Sequence, residues 1–131
     1  MRLFLVFAMI FCHVVDDYYQ QGILARLKQK EWWQQNAPAE LYKNDYIVAL
    51  FTHAFSWAFM ILIPLIIYSA THIIRESFWY IFCPLFIILN TYVHARVDNA
   101  KANEHTINLI IDQTIHVGQV LFTYVLFIVF Y

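Results

Sequence analysis

Residues 106–131 read TINLIIDQTIHVGQVLFTYVLFIVFY, and this stretch decides the fold. It exceeds the roughly 20 apolar residues that a helix needs to cross a bilayer. Its polar side chains are not scattered. Asn108, Asp112, His116, Gln119 and Thr123 recur at helical spacing along a surface of Leu, Ile, Val and Phe. Ionisable groups facing lipid are costly, so this stripe must look into the interior of a helical bundle.

Two further apolar stretches carry the same signature. Alongside Asp112-Gln113-x2-His116 stand His94-x3-Asp98-x2-Lys101 and His13-x3-Asp17-x3-Gln21. A four-residue spacing puts both members of each His/Asp pair on one helix face. Asn90 extends the second stripe.

The composition places these stripes in a membrane. The chain has 131 residues, 62% of them hydrophobic and 19% aromatic, with two glycines, and its mean hydropathy is +0.57. That is far too apolar for an ordinary soluble domain of this size. The formal net charge is -1 and the eight Lys and Arg are scattered, which argues against a nucleic-acid surface. Cys12 and Cys83 lie in apolar stretches and read as small hydrophobes, not as a disulfide framework or a zinc ribbon.

The expected architecture is an all-α, integral membrane four-helix bundle forming a single transmembrane domain over 1–131, with spans near 3–21, 46–70, 77–98 and 106–131. The first and third apolar runs are short, and reach full length only if their His/Asp turns count as buried helix. Arg2 followed by Leu3–Cys12 could pass for a signal peptide. No small-residue cleavage site follows, so the segment is expected to stay as a membrane helix. Pro64 and Pro84 sit inside the second and third spans, where neighbouring helices can tolerate a kink.

Between the first two spans lies the one sizeable polar stretch, Gln20–Asp45. Its Leu24, Leu27, Trp32, Trp33 and Tyr42 suggest an interfacial helical or loop segment, with Pro38 marking a turn. Arg26, Lys28, Lys30, Lys43, Arg96 and Lys101 fall on one side of the bundle, and Arg2 and the lone anchor Arg75 on the other. The positive-inside rule then places both termini outside the cytoplasm.

On this topology the polar groups converge. His13 and Asp17 close the first span and His94 and Asp98 the third. At 1.5 Å per residue, His53 lies about 10 Å into the second, and Asp112 and His116 about 9 to 15 Å into the fourth. His53, with Ser56 near it, adds to the layer from the helix without a pair. Imidazole and carboxylate suit Zn²⁺ first, with Fe²⁺ or Mn²⁺ as alternatives. The candidate ligands are therefore His13, Asp17, His53, His94, Asp98, Asp112 and His116, around one or two divalent ions. Seven exceed one tetrahedral shell, so an aspartate left over among Asp17, Asp98 and Asp112 would be a general base. Gln21 and Gln113 are assigned to hydrogen bonding, and Lys101 to substrate contact or charge compensation. His72 and His105 are set apart as loop residues. Asp16 is turned off the first stripe by its spacing, and the aromatic residues of the middle spans read as packing.

At these residues the chain resembles the small phage and bacterial membrane proteins of domain of unknown function 3307. The motifs are His13, Asp17, Gln21; a following lysine, Lys28 or Lys30; His53-Ala54; His94, Asp98, Lys101; and Asp112, Gln113, His116. The resemblance covers nearly the whole chain and implies a phage-derived protein of a bacterial inner membrane. In general character the architecture is also similar to membrane-bound metal-dependent hydrolases. The expected chemistry is metal-assisted hydrolysis of a lipid-derived or membrane-proximal ester or phosphoester. The alternatives are a proton or metal-ion transporter, and a phage accessory protein that binds a host membrane protein and uses the polar cluster only as a scaffold.

Overall fold

A computed structural model of the chain describes residues 2–71 and 76–130. His72 and Arg75 lie outside the described residues. Every element described is helical: α1 (Arg2–Val14), a π-helical turn (Val15–Gln20), α2 (Leu24–Leu27), α3 (Lys30–Asn36), a short 3₁₀ turn (Glu40–Tyr42), α4 (Asp45–Thr71), α5 (Glu76–Ala102) and α6 (Leu109–Phe130). Four segments are long and apolar enough to cross a membrane: Leu3–Gln20, Glu40–Thr71, Trp79–Ala102 and Leu109–Phe130. α1 packs on α4 and α6, and α5 on α4 and α6, so the four long helices close into a ring.

The interior has two halves of opposite chemistry. Toward the end of the bundle holding the chain termini, Leu5, Met9, Ile61, Leu62, Leu65, Phe86, Val120 and Phe127 form a dry core. Toward the other end, the side chains turned inward are His, Asp, Asn and Gln. The outward faces carry exposed Phe, Leu, Ile and Val, such as Phe7, Phe55, Ile88 and Phe122, the pattern of a surface solvated by lipid.

α5 runs past the expected end at 98 to Ala102, because Asp98 and Lys101 continue its inward stripe. The first helix does not continue outward. It widens into the π turn and stops at Gly22, whose φ of 49° is a left-handed conformation that glycine adopts without a Cβ clash.

Beyond Gly22 the chain forms an arm, α2 and α3, across the polar end of the bundle. Asn103, after α5, clamps it: Asn103 Nδ2 donates to the Lys28 carbonyl at 3.0 Å, and its Oδ1 accepts from the Lys30 N–H at 2.7 Å. Trp33 Nε1 donates to the Leu27 carbonyl at 2.7 Å and its ring stacks on Tyr42. Replacing Asn103 by Ala removes both hydrogen bonds to the arm, together with the one Asn103 donates to Asn99, and costs the arm about 1–2 kcal/mol of local stability. Trypsin cleavage at Arg26, Lys28 and Lys30 should then rise by roughly 5- to 30-fold with unchanged helix content. An unchanged cleavage rate would show that the clamp does not hold the arm.

Candidate metal centre

Each long helix sends polar side chains into the same space. α1 and its π turn supply His13, Asp16 and Asp17, α4 supplies His53, α5 supplies His94 and Asp98, and α6 supplies Asp112 and His116. All eight are buried. In an α-helix Asp16 and Asp17 point about 100° apart, which is why the spacing suggests that only Asp17 faces inward. The wider π turn brings both carboxylates inside, so the expectation for Asp16 fails for a local geometric reason.

Six of these residues offer ligand atoms in three overlapping groups: Asp17, His53, His94; His94, Asp98, His116; and Asp17, Asp112, His116. Within each group the ligand atoms lie within 4.8 Å of one another. His53 Nε2 is 3.2 Å from His94 Nε2 and 3.3 Å from Asp17 Oδ1. His116 Nε2 is 3.4 Å from Asp112 Oδ1 and 3.6 Å from Asp98 Oδ1. Metal–ligand bonds of about 2.0–2.1 Å in a tetrahedron set neighbouring ligand atoms roughly 3.3 Å apart. The observed edges match that spacing. They are long beside the hydrogen bonds made by the supporting side chains.

Those supports are short and directional. Gln113 Nε2 donates to Asp17 Oδ2 at 2.7 Å and to Asp112 Oδ2 at 3.0 Å, joining α1 to α6. Gln21 Nε2 donates to Asp17 Oδ1 at 3.1 Å and lies 3.1 Å from His53 Nε2. Lys101 Nζ meets Asp112 Oδ2 at 2.5 Å on the half-buried rim. Lys28, reaching in from the arm, meets Asp98 Oδ2 at 2.6 Å and is itself buried. Of the two lysines that the motifs allow, Lys28 enters the cage, whereas Lys30 lies over the Tyr46 ring.

His13 sits beside the cage in a different state. Trp57 Nε1 can only donate, and it donates to His13 Nδ1 at 2.8 Å. The imidazole proton is thereby fixed on Nε2, with Gln113 as its side-chain partner. His13 belongs to none of the three groups and acts in this arrangement as a hydrogen-bonding wall. His116 is held the opposite way: its Nδ1 lies 3.2 Å from Gln119 Oε1, and Gln119 Nε2 donates in turn to Asn90. Gln119 therefore accepts from the Nδ1–H and leaves Nε2 with its lone pair toward the cage. An outer hydrogen bond that fixes a ring in this way is how metal-binding imidazoles are oriented. Asp16 stands behind His53 without a hydrogen bond to it, its Oδ2 lying 3.7 Å from His53 Nδ1, while Ser56 donates to Oδ1 at 2.7 Å.

Trp57, fully buried, closes the floor. Its ring stacks on His94 at 4.3 Å, and His94 stacks on His116 at 3.9 Å. Trp57 stands four residues after His53, on the same helix face, so helical spacing carries its signal. The exposed His105 lies elsewhere, near Glu31.

No family model matches the chain, and no curated protein or solved structure is similar to it. The resemblance noted from the motifs rests on those motifs.

The cage is not satisfied by the protein alone. Asp98 Oδ1, Asp112 Oδ1 and His116 Nε2 are fully buried and have no hydrogen-bond partner. Four buried carboxylates, Asp16, Asp17, Asp98 and Asp112, face two lysines, Lys28 and Lys101, so the balance of charge must come from protons on the cluster or from a cation within it. A divalent cation would supply that charge and take up the three free ligand atoms. Substituting Gln119 by Leu should leave His116 free to rotate and weaken metal binding by roughly 10- to 100-fold, read by isothermal titration in detergent. Undiminished affinity would remove Gln119 from the centre.

Proposed function

We propose that this protein is a membrane-embedded, metal-dependent hydrolase acting on a lipid-derived or membrane-proximal ester or phosphoester. The observation that carries the proposal is a set of three buried ligand atoms that make no hydrogen bond and face one another, His116 Nε2 standing 3.4 Å from Asp112 Oδ1 and 3.6 Å from Asp98 Oδ1. A cluster serving only to hold helices together satisfies its own polar atoms, which counts against the scaffold reading and its host-protein partner. The mixed imidazole and carboxylate donors favour zinc, with iron or manganese as alternatives. Such an ion supplies Lewis acidity and lowers the pKa of water toward neutrality.

The chain's own groups then have defined tasks. Asp112 is best placed of the three aspartates to accept a proton from water. Its Oδ1 faces the cage, and its Oδ2 meets Lys101, whose side chain is 28% exposed at the rim. Lys28 and Lys101 bring positive charge to the side from which an anionic ester would enter. Gln21 and Gln113, half-buried, hold Asp17 between them.

The transport reading needs a polar path across the bundle. Polar contacts do continue past His116 through Gln119, Asn90 and Thr123. They end against Ile61, Leu62, Leu65, Phe86 and Phe127, which are almost entirely buried. That plug supports an enzyme opening to one side over a conduit. The motif resemblance and the basic arm support a phage-derived protein in a bacterial inner membrane, with the arm cytoplasmic and both termini outside.

Purified protein should retain a transition metal, and His116→Ala should abolish most of it. Asp112→Asn should lower hydrolysis of phospholipid or headgroup phosphoesters at least about 100-fold. No metal above background, together with no hydrolysis by the metal-supplemented protein, would sink the proposal.

A further inference from the structure

The six ligand atoms do not form one coordination sphere. They divide into groups of three that share members, and no single group includes all six. One ion placed among Asp17, His53 and His94 leaves Asp98 Oδ1, Asp112 Oδ1 and His116 Nε2 without a hydrogen bond and outside its group. Placed instead with Asp17, Asp112 and His116, it leaves the His53 and His94 Nε2 atoms confronting each other at 3.2 Å. Placed with His94, Asp98 and His116, it leaves Asp112 Oδ1 outside the group and His53 Nε2 facing Asp17 Oδ1 at 3.3 Å, so none of the three positions answers the whole cage.

Two carboxylates straddle the division. Asp17 Oδ1 lies 3.3 Å from His53 Nε2, while its Oδ2 is held by Gln113 on the side of Asp112. Asp98 Oδ2 lies 3.5 Å from His53 Nε2 and 3.7 Å from His94 Nε2, and its Oδ1 lies 3.6 Å from His116 Nε2. An imidazole Nε2 has one lone pair and serves one ion, whereas the two oxygens of a carboxylate can serve two. From this geometry we infer that the cage is a dinuclear centre, resting on the metal-site reading above. One divalent ion is held by His53 and His94 and the other by Asp112 and His116, with Asp17 and Asp98 bridging them; Asp112 Oδ1 is then a ligand, and not the free base that it is with a single ion.

The supports fit this division. Gln119 hydrogen-bonds the outer nitrogen of His116, and the Asp16 carboxylate faces the outer nitrogen of His53 at 3.7 Å. Lys28 occupies only one lone pair of Asp98 Oδ2, and a carboxylate oxygen has a second. The charge also changes sign. With all four carboxylates ionised and the imidazoles neutral, one divalent ion brings the four carboxylates and two lysines to neutrality, while two ions leave a surplus of two positive charges. A phosphoryl dianion carries the matching charge, and paired ions clamping a phosphoryl group are a known solution for in-line displacement. The phosphoester is thereby favoured over the carboxylic ester.

The full-length protein in detergent can be titrated with Mn²⁺, with bound metal counted by mass spectrometry and the spins followed by electron paramagnetic resonance. The expected result is two Mn²⁺ per chain with exchange-coupled hyperfine lines at half the spacing of an isolated ion. His53→Ala should bind one Mn²⁺ and show an isolated-ion spectrum at unchanged helix content, and Asp112→Ala should do the same from the other side. If His53→Ala does not fold, Asp112→Ala and the wild-type count still decide. Inorganic phosphate should perturb the coupled spectrum of the doubly loaded protein. Saturation at one ion per chain, or two uncoupled ions, overturns the dinuclear centre while leaving a metal site. No bound Mn²⁺, Zn²⁺ or Fe²⁺ overturns the metal reading itself. A coupled spectrum indifferent to phosphate overturns the phosphoryl assignment.

Discussion

Charge that has been taken out of water must be matched where it stands, and this condition governs the polar half of the bundle. Four carboxylates sit in the interior on three different helices. Isolated, each would cost several kcal/mol in so apolar a setting. The chain lowers that cost by bringing Lys28 and Lys101 to within direct contact, and by spending the amide groups of Gln21 and Gln113 on Asp17 and Asp112. These contacts tie α1 to α6, the arm to α5, and the end of α5 to the start of α6. In lipid, where apolar side chains gain little by leaving their neighbours, such polar contacts and close packing are what hold helices in register.

The same contacts explain why the two ends of the interior differ so sharply. Trp57 separates them. Its indole N–H is committed to His13 and its ring is stacked on His94, with Ile61 following one turn on, so along α4 this residue ends the polar layer and begins the apolar one. Above it the atoms have directions and partners. Below it, Ile61, Leu62, Leu65 and Phe127 fill space without them.

Much of this was legible in the residues themselves. A stripe such as Asp112, His116, Gln119 and Thr123 on a continuous apolar run has one physical interpretation, and three such stripes at one depth on antiparallel helices must meet; Asn108, expected to begin this stripe, is instead exposed and accepts from the Ile111 N–H at the start of α6, which begins at Leu109 and not at 106. Spacing could not reveal a change of helical pitch, and so Asp16 was hidden: only the π turn after Val14 carries it inside. Nor does spacing fix the atom by which a side chain acts. His13 has the same pattern as His94, and the two differ because a tryptophan N–H lies beside one of them. Lys28 was open for a further reason, since its partner Asp98 is 70 residues away in the chain and the arm that delivers it is held by Asn103.

The division of the cage among all four long helices bears on how the protein comes into being. His53, the last-placed neighbour of Asp17 on the first two spans, can meet no α6 ligand until that helix has been made and inserted. During synthesis the early helices therefore enter the membrane with carboxylates that have no lasting partner. Loading of the proposed centre would then be a late event, open only to a chain whose helices have all reached their places. Such a centre would act as a checkpoint on its own topology: a misthreaded copy would keep unmatched charge in the bilayer and stay open to the membrane's quality-control proteases.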